Sequence, residues 1–376
     1  MPPVNVLVKP ASSACNMNCS YCFYRDVAAN RERGFEGMMS AETAEHLVAT
    51  AMEYAEGGCT FTFQGGEPTL AGLAFYRNFL RFEKKYAKPG VTIQNSIQTN
   101  GYLINDEWAA FLHDNRFLTG LSLDGPADIH DFNRTDRMGK GTFNRTMQAA
   151  RLLEKHGAPY NILCVITGRN ARSIEKIYRF FVRQGFRYLQ FIPCLDPLGE
   201  ERGQAGYHLS CKEYEAFLLR IFDLWLSDLR AGRYISIRHI DNWLSVLMGR
   251  PPESCNMNGH CSIQFVVEGD GGVYPCDFYV LDEWRLGTVG KDRFAGMLNS
   301  TKAQEFIRAS LSVPQECKVC PYHFICRNGC RRDRTDAPDG TIGLNYYCEA
   351  YKNFFDKRAR QLNEAILLLR RGRPHR

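Results

Sequence analysis

Between Val4 and about Arg233, apolar runs of strand length alternate with stretches whose apolar residues recur at helical spacing. The runs at 4–8, 60–63, 91–97, 117–123, 161–166 and 188–192 predict strands. Helices are predicted over 41–55, 73–86, 106–114, 142–155, 173–184 and 212–230, several of them opened by Ser, Thr or Asp. Six β-then-α units in succession imply a parallel sheet with helices outside it, because a parallel crossover needs a connection of this length. Periodicity leaves two windings open: a doubly wound sheet, or a partial (β/α)6 TIM-like barrel.

After Arg233 the alternation stops, which predicts a domain boundary near Tyr234 that divides 1–234 from 235–376. Within the second part, Phe265 to Cys276 reads as a hairpin, two short β runs joined by the Gly-rich turn Asp270-Gly271-Gly272.

Bulk composition narrows the classes. A chain of 376 residues with 44% hydrophobic content holds two domains and a substantial core. No uninterrupted apolar run reaches bilayer length, and the start Met1-Pro2-Pro3-Val4-Asn5 lacks a secretory signal, so a cytoplasmic protein with no membrane partner is expected. The formal charge of +6 resides in residues 357–376, where seven basic residues face one acidic residue, Glu364. The rest of the chain is balanced, which argues for a solvated tail and against nucleic acid.

The fifteen cysteines carry the chemistry. A disulfide framework does not suit the cytosol, so metal ligation is the better use. Cys59, Cys164, Cys194 and Cys211 stand alone and read as small core hydrophobes. The other eleven divide as three plus eight. Cys15, Cys19 and Cys22 follow the first strand, and a four-iron cubane held by three thiolates leaves one iron open to something other than protein. A zinc knuckle is the alternative, but structural zinc takes four protein ligands and no fourth donor lies nearby.

The remaining unusual loops also follow strands: Gln64-Gly65-Gly66-Glu67-Pro68 after the second, Gln98-Thr99-Asn100-Gly101 after the third, and Ser122-Leu123-Asp124-Gly125-Pro126 at the fourth. Such C-terminal strand ends are where α/β folds assemble active sites. Gly65 and Gly66 can bring bare backbone up to a ligand, Glu67 can accept from an ammonium group, and Ser122 and Asp124 suit ribose hydroxyls.

Cys15-x3-Cys19-x2-Cys22, with Tyr21 before the third cysteine and Gly65-Gly66-Glu67-Pro68 further on, resembles the signature of the radical S-adenosylmethionine enzymes. That resemblance implies that the methionine end of the cofactor occupies the open iron and that its cleavage yields a 5′-deoxyadenosyl radical. It also implies that Arg134 contacts the cofactor carboxylate and that Leu195 packs on the adenine.

In the second part, Cys261-x9-Gly271-x4-Cys276, then Cys317-x2-Cys320-x5-Cys326-x3-Cys330, then Cys348, is similar to the SPASM auxiliary-cluster domain. By that resemblance Cys255, Cys261, Cys276 and Cys330 hold one 4Fe-4S cluster, and Cys317, Cys320, Cys326 and Cys348 hold another. Two zinc ribbons are the alternative, since thiolates alone do not separate zinc from iron–sulfur.

Lys9-Pro10-Ala11-Ser12-Ser13, Phe63 to Gly72, Leu195-Asp196-Pro197-Leu198, Tyr274 to Leu281 and Leu344 to Cys348 together resemble the anaerobic sulfatase-maturating enzymes, over nearly the whole chain. The family oxidises one Cys or Ser of an unfolded or nascent sulfatase, in a Cys/Ser-x-Pro/Ala-x-Arg motif, to Cα-formylglycine. The implied cofactors are S-adenosylmethionine and three 4Fe-4S clusters, with an external low-potential electron donor. Asp277, fixed by its neighbour Cys276, is then the general base, although as a bare sequence feature it also reads as a turn residue. Tyr24 and Gln64 are expected on the peptide channel. A maturase making a different peptide modification, and a non-enzymatic three-cluster electron carrier, are the competing readings.

Overall fold

A computed structural model describes residues 3–336 and 342–371, so the last five residues of the basic tail lie outside the described residues. Strand β1 (Val4–Val8) pairs in parallel with β2 (Gly58–Phe63), and the ladder continues through β3 (Thr92–Thr99), β4 (Leu118–Ser122), β5 (Tyr160–Ile166) and β6 (Tyr188–Pro193). Spatial order therefore follows chain order. A doubly wound sheet reverses direction at a switch point; this one does not, and the winding is that of the partial barrel.

The sheet does not stop at six strands. Strand β7 (Ser236–Ile237) joins β6, while β8 (Val266–Val267) lies parallel to β1 on the other side, followed by the antiparallel β9 (Gly272–Tyr274) and β10 (Gly287–Thr288). The expected hairpin is β8 and β9, and its register, Val266 opposite Tyr274, brings it beside β1. One continuous sheet thus carries strands from both sides of residue 234.

Helices α1 (Phe23–Ala29), α2 (Ala41–Tyr54), α3 (Gly72–Tyr86), α4 (Asp106–Asp114) and α5 (Ala127–Asn133) cross over between the first strands. The later ones are α6 (Phe143–His156), α7 (Gly168–Arg172), α8 (Ile174–Arg183), α9 (Cys211–Arg230) and α10 (Arg238–Leu247). Helix α9 starts where Ser210 and Glu213 form a reciprocal capping box. Under the sheet an aromatic cluster closes the core, with Phe63 edge-on to Phe79 at 4.9 Å and to Tyr76 at 5.0 Å. The C-terminal helix Cys348–Arg371 packs on α9 and α10 through Phe354, which lies 5.5 Å from Phe222 and 4.8 Å from Trp243. The two parts of the chain share one core.

One buried acid weakens this core. Glu83 on α3 receives a hydrogen bond from Asn95 (3.1 Å), its other oxygen has no partner, and burial pushes its pKa up to about 7. A folded-state pKa above the unfolded value means stability is greatest below the unfolded pKa and falls as pH rises toward 7, by roughly 3 kcal/mol in all. Glu83→Gln should therefore raise the thermal midpoint at pH 8 by about 3 °C or more, with the gap shrinking at acid pH; a gap that does not vary with pH contradicts the assignment.

Candidate active site

Lys9 directly follows strand β1, and the loop beyond it carries Cys15, Cys19 and Cys22, the last at the N-cap of α1. The loop is tied down by backbone. Gly66 and Glu67 donate to the carbonyls of Ser12 and Ala14 (both 2.8 Å), Asn18 and Ser20 donate to those of Thr135 (2.8 Å) and Asn133 (3.0 Å), and Arg137 reaches the Cys15 carbonyl (2.7 Å). Gly65 has φ +128°, and a Cβ on Gly66 would sit 2.1 Å from the Ala14 oxygen. The bare backbone expected to meet a ligand is thus pressed against the cysteine loop itself.

Two carboxylates expected to meet the cofactor also have protein partners. Glu67 is 1% exposed and accepts from Thr69 N (3.0 Å), Thr69 Oγ1 (2.5 Å), Thr99 Oγ1 (2.7 Å) and Asn100 N (2.8 Å), stapling the loop after β2 to the loop after β3. Asp124 accepts from the Tyr21 hydroxyl and from Val165 N (3.0 Å), and pairs with Arg134 Nε at 3.1 Å. Both arrangements have one cause: a buried carboxylate has to be met by donors, and here the neighbouring strand ends supply them. Arg134 stacks 5.4 Å from the Tyr21 ring and places Nη1 4.0 Å from Cys19 Sγ. The Ser122 hydroxyl makes no hydrogen bond among the described residues. Leu195 is half-buried two residues past β6 and belongs to neither apolar cluster.

The loop fits an anionic, metal-bearing group. Asn16 Nδ2 and Asn133 Nδ2 are buried without a hydrogen-bond acceptor, and Arg134 Nε has only its 3.1 Å ion pair with Asp124. Burial, and next the Glu67 charge, push the Cys15 thiol up to about 12; burial pushes Cys19 to about 11 against the pull of Arg134. A bound metal would supply the positive charge that offsets this burial when the thiols ionise. No three His, Cys, Asp or Glu side chains among the described residues converge as a single metal ion requires.

Asp277 follows Cys276 at the start of a short 3₁₀ turn, Asp277–Tyr279. Its carboxylate does not cap that turn. Lys9 Nζ donates to Oδ1 at 2.5 Å and Gln64 Nε2 donates to Oδ2. Lys9 is 0% exposed, and its ammonium lies 3.6 Å over the Tyr24 ring, whose hydroxyl is given to Glu268. Arg31 pairs with the same Glu268 oxygen at 2.8 Å, and burial pushes that carboxyl up to about 7 while Lys9 draws it down. Tyr24, expected on the peptide channel, is buried with its ring beneath Lys9, and Gln64, also expected there, is half-buried and touches Asp277 directly. Sequence reasoning passed over Lys9 and Glu268. A lysine closing an apolar strand and a glutamate in a hairpin turn were the available signals.

The eight later cysteines sort by the charges that act on them. Cys276 is pushed up by burial, then by Asp277, Cys261 and Cys255, and Cys330 by burial, Asp333, Cys276 and Cys255. Cys317 is pushed up by burial, Cys348 and Cys320; Cys326, at about 12, by burial and by Cys348, Cys317 and Cys320. The charges thus act among Cys255, Cys261, Cys276 and Cys330, and among Cys317, Cys320, Cys326 and Cys348. Of the solitary cysteines, Cys59, Cys164 and Cys194 are buried in the core, and Cys211 is half-buried with its charge acting on Cys348.

Comparison with known proteins adds family to geometry. Residues 10–181 match the radical SAM superfamily model and residues 255–321 an iron-sulfur cluster-binding domain, SPASM. The cysteine-type anaerobic sulfatase-maturating enzyme of Clostridium novyi is 48% identical over 96% of this chain and 97% of its own. The serine-type enzyme of Bacteroides thetaiotaomicron is 35% identical over 94% of this chain and 89% of its own. The solved structure of native anSMEcpe with bound AdoMet and Cp18Cys peptide matches with a TM-score of 0.93 at 45% identity, covering 98% of this chain and all of that one.

Gly66→Ala tests the loop contact, since its Cβ meets backbone that cannot rotate away. Reductive cleavage of S-adenosylmethionine should fall about a hundredfold, with auxiliary-cluster iron retained. Cleavage at the original rate would show that the contact is dispensable.

Proposed function

This chain belongs to the anaerobic sulfatase-maturating enzymes of the radical SAM superfamily, and from that membership we propose that it oxidises a cysteine of a sulfatase polypeptide to Cα-formylglycine with Asp277 as the base. The observation that carries the base assignment is the Lys9–Asp277–Gln64 contact, which aims a carboxylate from the cysteine-rich part of the chain at the cluster loop's own strand end. Greater identity to the cysteine-type relative than to the serine-type one supports cysteine as the target. We place that cysteine in a Cys-x-Pro/Ala-x-Arg segment of a nascent chain in the cytoplasm, with an external low-potential electron donor.

Cys15, Cys19 and Cys22 would hold the cluster that binds S-adenosylmethionine; Arg134, Ser122, Leu195 and the backbone at 65–67 would hold the cofactor. Cys255, Cys261, Cys276 and Cys330, and separately Cys317, Cys320, Cys326 and Cys348, would hold the auxiliary clusters. When bound, these groups would supply a hydrogen-abstracting radical and an electron acceptor. The protein's own residues orient and deprotonate. Asp277 takes the proton from the substrate sulfur, Lys9 and Gln64 fix the two carboxylate oxygens so that the accepting lone pair has one direction, and Tyr24 with Glu268 fixes Lys9.

Anaerobic incubation of the reconstituted enzyme with reductant and a Cys-x-Pro-x-Arg peptide, read by mass spectrometry, is expected to give the aldehyde residue. Asp277→Asn should lower formylglycine by about 10²–10⁴-fold while 5′-deoxyadenosine still forms. Undiminished product from that variant rules out the base role, and no aldehyde from the parent enzyme rules out the reaction.

A further inference from the structure

Arg334 opens β11 (Arg334–Asp336), which pairs with β12 (Ile342–Asn345) beside the last cysteines. Its guanidinium is buried and donates only to backbone carbonyls. Nε reaches Asn328 (3.0 Å), Nη1 reaches Ser310 (2.7 Å), and Nη2 reaches Gly329 (3.0 Å) and Gly259 (3.3 Å). Three of these carbonyls belong to segments that bear a cysteine, and Ser310 is hydrogen-bonded to one. Gly259 stands two residues before Cys261, Asn328 and Gly329 lie between Cys326 and Cys330, and the Ser310 hydroxyl accepts from the Cys261 amide at 2.8 Å.

A buried cation usually has a carboxylate partner, and among the described residues Arg334 has none within ion-pair distance. Burial lowers its pKa, and Cys261 and Cys330 from one foursome and Cys317 and Cys326 from the other oppose that shift, while Arg334, with Arg202 and Arg332, draws down the buried Asp333 carboxyl beside it. We propose that Arg334 is the shared counter-ion of the two auxiliary clusters, a positioning residue that raises the reduction potential of both. The inference rests on the reading of the two foursomes as cluster ligands. Reduction adds negative charge to a cubane, and a fixed cation in a low-dielectric interior favours the more negative state.

The test uses the whole chain, reconstituted anaerobically, with iron measured first. Wild-type protein holding about twelve iron atoms, four for each of three cubanes, secures the underlying reading; iron that stops at one cubane defeats that reading before Arg334 is at issue. Redox titration followed by electron paramagnetic resonance then compares Arg334→Gln with Arg334→Lys. Gln should make the auxiliary clusters about tenfold harder to reduce, 59 mV for one electron, whereas Lys, which keeps the charge and forfeits the fork, should stay near wild type. Gln without a shift, or Lys shifted as far as Gln, overturns the proposal. Should Gln fail to assemble the clusters, assembly in Lys shows that charge is what they need, and failure in both shows that Arg334 is only a carbonyl staple.

Discussion

A lysine ammonium with no exposure has to meet a carboxylate or give up its charge, and breaking such a pair leaves an uncompensated ion worth about 3–5 kcal/mol. Lys9 satisfies this constraint with Asp277, 268 positions along the chain. Because Lys9 directly follows the first strand of the parallel sheet and Asp277 follows Cys276, the pair ties the cysteine-rich part to the mouth of the barrel. The parallel pairing of β8 with β1 makes the same junction in backbone, with Lys9 N donating to the Val267 carbonyl at 2.8 Å.

Around that junction the polar residues divide their labour in a way the fold imposes. Loops at strand ends have backbone groups to satisfy, and a fixed cysteine loop needs more anchoring than its own turns provide. Glu67 and Asp124 supply anchoring, and Gly66 permits it by having no side chain. What is left over for a ligand is an excess of donors near the three thiols, which is the polarity an anionic cofactor end and a cluster's sulfur atoms call for.

Much of this was legible in the chain. Strand β1 and helix α4 occur at the predicted bounds, because each is an uninterrupted pattern closed by a clear stop. Helices α1, α5 and α7, of five to seven residues, escaped notice because two turns are too few for a 3.6-residue period to show. The winding was undecidable from periodicity because strand order is a long-range property, and the ladder from β1 to β6 is what decides it. At the site, residue types pointed to the right neighbourhood, but a sequence does not say what a carboxylate faces. Glu67 and Asp124 have protein partners that no pattern announces, and Lys9, unremarked as chemistry, is the partner of Asp277.

The most direct test of this arrangement is the ratio of formylglycine to 5′-deoxyadenosine made by Lys9→Met, quantified by mass spectrometry in anaerobic single-peptide turnover. If Lys9 holds the base in place, the variant should go on cleaving S-adenosylmethionine while formylglycine falls about a hundredfold, so that the two products separate. Products that stay in the wild-type ratio, at whatever overall rate, would contradict the claim that this buried pair aligns Asp277 for the reaction.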